Sequence, residues 1–286
     1  MNNNSARLFV FHGSRNQQYS LAISQLANLV KEQLARHLLI SPDQRSQQAS
    51  EGLSLECDSR VYKPRSLEGG VPSSGIEIIC DWKQEKTLYT ENLKRFKHSQ
   101  VAQLKTKTTA TTRYQSLLPL VEVAVLEFAD VPLSQSIINF AQKAIAYHYQ
   151  KVEIIPVFLS AGVHVREDIP LEIAQAKQKL GDTIVSLELL DYVGNYPQLT
   201  ALITQKFTQI AAQGRILLAH GSRLSQGNVA SEQLAKKVNA INTYWTVQPD
   251  LTSAVQLLVK QNISSIAIVP YFLFSGRITE AIAFQV

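Results

Sequence analysis

Two similar α/β lobes, each built on a parallel sheet, are predicted by three features of this sequence. Two blocks of residues occur twice, in the same order. Apolar runs of strand length alternate with stretches of helical periodicity. Histidine-bearing loops follow directly on apolar runs, where open parallel sheets place their ligands.

The repeat is the strongest of these features. Leu8–Val30 (LFVFHGSRNQQYSLAISQLANLV) aligns without a gap on Ile216–Val238 (ILLAHGSRLSQGNVASEQLAKKV). His12, Gly13, Ser14 and Arg15 return as His220, Gly221, Ser222 and Arg223, and further identities are spread from Gln18/Gln226 to Val30/Val238. A second block, Ile154–Gly162 (IIPVFLSAG), returns as Ile268–Gly276 (IVPYFLFSG). Two matching blocks in one order mean a duplicated unit. The expected division is a first lobe over residues 1–213, carrying a polar insertion over about 40–116, and a second over 214–286.

Along the chain, Leu8–Phe11 is an apolar run of strand length stopped by His-Gly-Ser. Ile23, Leu26, Ala27, Val30 and Leu34 then recur at steps of three and four, the face of an amphipathic helix. From Ile40 to Gln115 the text turns polar and is too long for a compact connector, so it reads as an insertion. Within it, Gly75–Trp82 (GIEIICDW) could add an edge strand, and Lys94, Arg95, Lys97, Lys105 and Lys107 read as a solvated basic face. Val121–Phe128 is rich in β-branched residues and reads as a strand, Ser134–Tyr149 as a helix. Val152–Leu159 is another strand, and Pro156 inside it argues for an edge position or an irregularity. Thr183–Leu190 and Pro197–Ala212 read as a fourth strand and its helix. The second unit reaches Val286 soon after its Phe-Ser-Gly turn, and so looks incomplete by one strand and one helix.

Composition narrows the function. Of 286 residues, 45% are hydrophobic and 18% charged, which suits globular lobes. No apolar run is long enough for a membrane span, and the N-terminus lacks a secretory layout, so a cytoplasmic protein is expected. Cys57 and Cys80 form no CxxC pair, which excludes a cysteine-rich zinc or iron–sulfur site within this chain. The net charge of +5 is mild and partly confined to the polar insertion. It suits an anionic ligand and does not indicate nucleic acid.

Three places carry chemistry. In His12-Gly13-Ser14-Arg15 the imidazole follows a strand end. Gly13 allows an unusual backbone angle or a close ligand approach. Ser14 can cap the next helix, and Arg15 can pair with a carboxylate. Taken alone, the motif serves a structural histidine equally well. In Gly162-Val163-His164-Val165-Arg166-Glu167-Asp168-Ile169-Pro170, one His with two acids close behind could bind a divalent metal or shuttle protons. Asp168 ahead of Ile-Pro also reads as a helix start. Glu127, at the end of an apolar strand, needs a partner or a task, unless it simply emerges into solvent.

The strand–HGSR start together with FLSAGVHVREDIP resembles the class II chelatases of the CbiX and SirB kind, which insert cobalt or ferrous iron into sirohydrochlorin. The resemblance covers Leu8–Ala35, Leu118–Ile210 and Arg215–Ile282, and leaves the insertion outside. It implies two flavodoxin-like lobes with the tetrapyrrole in a cleft between them. It also implies that His12 and His164 handle the metal, and that Glu127 helps bind it or accepts pyrrole protons. Ser14, Arg15, Arg166, His220, Arg223 and Arg277 would then contact the acidic macrocycle. Fe²⁺ or Co²⁺ would be a substrate. No P-loop occurs, this class works without ATP, and no tightly bound cofactor is expected. A carrier or sensor of tetrapyrroles is the competing expectation. The second unit keeps His220 but has Ile278 opposite His164, and no acid within Ile241–Gln248 opposite Glu127. One active site, on the first lobe, is therefore expected.

Overall fold

The computed structural model describes residues 5–15, 17–39, 60–62, 77–80, 119–182, 184–274, 278–279 and 281–282. The elements begin with β1 (Ser5–Phe11), α1 (Gln17–Leu39), β2 (Arg60–Tyr62), β3 (Glu77–Cys80), β4 (Val121–Val125), α2 (Leu133–Ala146) and β5 (Lys151–Pro156). They continue with α3 (Ile169–Leu180), β6 (Ser186–Leu189), α4 (Pro197–Gln209), β7 (Gly214–Ala219), α5 (Val229–Lys237), β8 (Ile241–Tyr244), α6 (Leu251–Lys260) and β9 (Ser265–Tyr271). They form two units, Met1–Leu55 with Gln103–Val193, and Glu56–Ala102 with Gly194–Val286.

In the first unit the sheet order is β4-β1-β5-β6, and every pairing is parallel. The first strand lies inside, between the second and third of its unit, which is the doubly wound, flavodoxin-like order. Alternate residues of β1, namely Ala6, Leu8 and Val10, join Val152 and Ile154 of β5 against Ile137, Phe140, Ala141 and Ala144 of α2 and Ile169 and Ile173 of α3. Each large side chain buried there contributes about 1.5–3 kcal/mol. Ile23 and Ala27 of α1 are buried as the helical spacing predicts. Helix α2 begins after Pro132, which offers no capping side chain. The Ser134 N–H donates instead to the Glu172 carboxylate of α3, at 2.6 Å.

Pro156 does not mark an edge: β5 is an inner strand. Along β5, alternate residues address opposite neighbours, and Val157 N–H donates to Val10 of β1. Position 156 therefore faces β6, which ends at Leu189. The proline's missing N–H removes no ladder bond there.

The second unit has the order β2-β3-β9-β7-β8. Strands β7, β8 and β9 repeat the pattern of β1, β4 and β5, with parallel pairing throughout. The boundaries differ from those expected. Strand β3 comes from the polar insertion and pairs parallel with β9, with Ile78 opposite Ile266 and Cys80 opposite Ile268. It occupies beside β9 the position that β6 occupies beside β5, so the strand the second unit lacked is supplied from earlier in the chain. It is also not an edge, because β2 pairs antiparallel along its other side. Helix α4 lies against β9 and belongs to the second unit, and its buried Phe207 ring carries the Arg215 guanidinium at 5.7 Å. The basic run at 94–97 with Lys105 and Lys107, and Cys57, lie outside the described residues. Among the described residues, no helix is long and apolar enough to cross a membrane.

Candidate metal centre

The three residues singled out for chemistry converge in the first unit. His12 follows β1, Glu127 follows β4 and His164 follows β5, so the cluster crowns the carboxyl ends of three adjacent strands. One ligand atom from each lies within 4.8 Å of the others. Glu127 stands between the imidazoles, its Oε2 3.9 Å from His12 Nε2 and its Oε1 3.9 Å from His164 Nε2. Two donors bound at roughly 2.1 Å to one ion stand about 3.0–3.4 Å apart, so small side-chain rotations would close this set on a metal. The side chains are 44%, 41% and 32% exposed for His12, Glu127 and His164, enough for an ion to enter from solvent.

Both rings are held from behind. His12 Nδ1 donates to the Gly13 carbonyl at 3.0 Å. His164 Nδ1 lies 2.7 Å from an Asp168 carboxylate oxygen. Both acceptors engage Nδ1 and leave Nε2 directed towards Glu127, the nitrogen through which a neutral imidazole could ligate a metal. The rings meet edge to face, with centroids 4.7 Å apart at 82°. Phe158 flanks them at 6.5 Å from His12 and 6.2 Å from His164.

Local backbone explains the convergence. Gly13 has φ +100°, and a Cβ there would lie 2.9 Å from the Glu127 carbonyl carbon and closer still to its oxygen. Only glycine allows this approach, which lets Glu127 N–H donate to His12 O at 2.8 Å. Phe128 takes the left-handed conformation at φ +58°. Its exposed ring lies beneath the Arg15 guanidinium at 5.0 Å. Tyr19 is half-buried nearby; burial raises its phenol pKa, against a smaller lowering from the Gly13 backbone. His164 opens a π-helical turn over His164–Asp168, in which Ile169 N–H donates to His164 O. Such turns are frequent at functional sites.

The other expected site residues are distributed differently. Arg15 lies over the Phe128 ring. Ser14 is half-buried, and Arg166 is exposed. Arg166 lies near enough to Tyr192 to oppose the upward shift that burial and Asp191 give that phenol. His220 and Arg223 are exposed on the second unit, and Arg277 lies outside the described residues. Phe158, Phe128 and the tie from Asp168 to His164 complete the cluster beyond the residues expected of it. The four-residue spacing from His164 to Asp168 signalled the last of these. The repeat of Phe158 as Phe272 hinted at the first. Nothing in the sequence marks the backbone of Phe128.

Strand register locates the second unit's counterparts. Glu127 corresponds to Thr246, whose N–H donates to His220 O at 3.0 Å as Glu127's does to His12. His164 corresponds to Ile278, packed against the second unit's apolar core.

A duplicated, doubly wound α/β architecture with an imidazole–carboxylate cluster at its strand ends is the class defined by these features. Within it, the chain belongs to the CbiX family, whose model matches residues 97–210 and 214–286. Over 68 residues the chain is 31% identical to the sirohydrochlorin cobaltochelatase of Methanocaldococcus jannaschii, a match taking in 24% of this chain and 45% of that relative. The chain thus spans less than half the length of the curated relative it matches. SirB from Bacillus subtilis with Fe³⁺ superposes with a TM-score of 0.55 at 14% identity, over 99% of this chain and 82% of that one. The sirohydrochlorin chelatase SirB from Bacillus subtilis subspecies spizizenii in complex with cobalt gives 0.52 at 15% identity, over 99% and 80%. At these identities the likeness establishes the fold.

Proposed function

We propose that this protein inserts a divalent metal, Fe²⁺ in the favoured reading, into sirohydrochlorin, as a step towards sirohaem. The observation that carries this is the convergence of His12, Glu127 and His164, three exchangeable ligands on the carboxyl ends of adjacent parallel strands. Family membership supports it. The incoming ion sheds water and is held by the bare Nε2 atoms of His12 and His164. The ion then replaces two pyrrole N–H protons; Glu127, between the imidazoles and 41% exposed, would accept one and release it to water before accepting the second. Arg15 and Arg166 are proposed to meet the macrocycle's carboxylates beside the cluster, with Ser14 on the same loop. A cytoplasmic setting belongs to the same proposal.

Cobalt insertion, on a path to cobalamin, is the second reading. It is favoured by the name of the curated relative and by the cobalt complex of one structural neighbour. Imidazole and carboxylate ligands serve both ions.

An anaerobic absorbance assay with sirohydrochlorin and either Fe²⁺ or Co²⁺ tests both readings. Insertion is expected with the wild-type chain and is expected to be lost in His164→Ala with the fold intact. Tight tetrapyrrole binding without insertion of either metal would show a carrier and not an enzyme. Insertion at the wild-type rate by His164→Ala would remove the site assignment.

A further inference from the structure

Asp168 does something that neither helix formation nor the three-residue cluster demands of it. It stands just ahead of α3, where Asp commonly caps a helix. Yet its backbone is already helical, at φ −66° and ψ −51°, and its side chain makes no capping bond. The carboxylate is committed to His164 Nδ1 at 2.7 Å instead.

The internal repeat supplies a second, independent observation. Counting from the shared Pro156/Pro270 and Phe158/Phe272, the positions matching His164 and Asp168 are Ile278 and Ile282. Ile282 is fully buried, and Ile278 packs against the same apolar cluster. Where the imidazole is absent, the carboxylate is absent too. The hold on the other histidine behaves differently. His12 and His220 are both tied through Nδ1 to the next residue's carbonyl, at 3.0 and 2.9 Å, so that tie comes with the loop backbone. The Asp168 tie comes with His164.

We propose that Asp168 is a positioning residue that fixes the His164 ring, with its proton on Nδ1 and its Nε2 aimed at the metal position beside Glu127. This rests on reading His164 as a metal ligand. A carboxylate behind a ligating imidazole selects the tautomer and orientation that the ion needs, and its loss typically weakens metal binding or activity about 10- to 100-fold.

The test uses the full chain with Co²⁺ alone, followed by the visible absorption of the bound ion, together with insertion kinetics at varied metal concentration. Asp168→Ala is expected to weaken Co²⁺ binding about 10- to 100-fold, to alter the shape of the absorption band, and to raise KM for metal more than it lowers kcat. Asp168→Asn, whose amide oxygen still accepts from Nδ1–H, is expected to recover most of the affinity and the wild-type band, and it serves as the test if the alanine variant does not fold. Wild-type Co²⁺ affinity and band shape in Asp168→Ala would overturn the proposal, as would an asparagine variant no better than alanine. His164→Ala separates the two levels. If that variant still binds Co²⁺ like wild type, the ligand reading itself fails. If it loses Co²⁺ while Asp168→Ala does not, only the positioning role fails.

Discussion

Gly13→Ala is the substitution that best tests how the site is built, because it adds one methyl group and no chemistry. The added Cβ would lie 2.9 Å from the Glu127 carbonyl carbon. Ordinary carbon contacts begin at roughly 3.5 Å, so the Glu127 backbone must retreat by more than about half an ångström. Retreat lengthens the Glu127 N–H bond to His12 O, now 2.8 Å, and carries the carboxylate away from both imidazoles. The cost combines roughly 1–2 kcal/mol for a positive φ in a residue with a Cβ and about 1 kcal/mol for the weakened hydrogen bond. A loss of about 2–3 kcal/mol corresponds to about 5–10 °C in Tm for a unit of this size. Gly221→Ala is the matched comparison: its φ is +85°, but its Cβ would meet the Tyr244 Cβ at 2.7 Å and Val247 Cγ2 at 2.9 Å, both side-chain atoms. Calorimetry and Co²⁺ titration should show Gly13→Ala losing both stability and Co²⁺ affinity, and Gly221→Ala losing stability alone. Unchanged Tm and Co²⁺ affinity in Gly13→Ala would refute the claim that this close approach assembles the cluster.

Strand β3 offers a second prediction. Ile79→Pro removes one ladder N–H from a strand paired on both sides, at a cost of about 1–3 kcal/mol for the acceptor left unpaired. Hydrogen exchange should rise along β9 while Co²⁺ binding by the first unit is retained; protection of β9 at the wild-type level would contradict the pairing. A third concerns alkaline pH. Burial, and donation from its hydroxyl to Glu232 at 3.0 Å, push the Tyr244 phenol up from 10.0 to about 12. The folded state then keeps a proton that the unfolded chain releases, so this contribution is fully present below about pH 10 and is lost as pH rises to about 12. Denaturant titrations across that window should fall less steeply for Tyr244→Phe than for wild type, and equal slopes would exclude the linkage.

The parts of the fold that rest on local pattern were legible in the sequence. Ile23 and Ala27 recur at helical spacing and are buried. His12 and Glu127 lie at the ends of apolar runs and His164 on the loop that follows one, and parallel strands bring such segments together. The parts that depend on distant pairing were not legible. Glu77–Cys80 reads as a short strand, but nothing in four residues says that its partner is Ser265–Tyr271, nearly two hundred positions on. That pairing moves the unit boundary and fills the gap in the second sheet. Pro156 left an edge position or an irregularity open, and only the ladder shows that β5 lies inside the sheet. Phe128 is left-handed at φ +58°, and its sequence neighbours carry no signature of that conformation.

The two units also show what duplication kept and what it changed. The backbone frame is common to both: a glycine at positive φ, a histidine tied to that glycine's carbonyl, and an N–H from the neighbouring strand end donated to the histidine carbonyl. The side chains diverge inward. Thr246, in the place of Glu127, turns its hydroxyl back to donate to His220 O at 2.9 Å and Gly221 O at 3.2 Å, satisfying the loop it belongs to. Ile278 and Ile282, in the places of His164 and Asp168, are part of the apolar packing with Ile216, Leu218 and Ile268. Restoring the lost groups would therefore require more than adding ligands. Ile282→Asp would place a carboxylate in an apolar core, a burial that costs several kcal/mol unless the partner imidazole and its solvent access return with it. Packing thus holds the second unit in its present state, and the His–Glu–His constellation is found in the first.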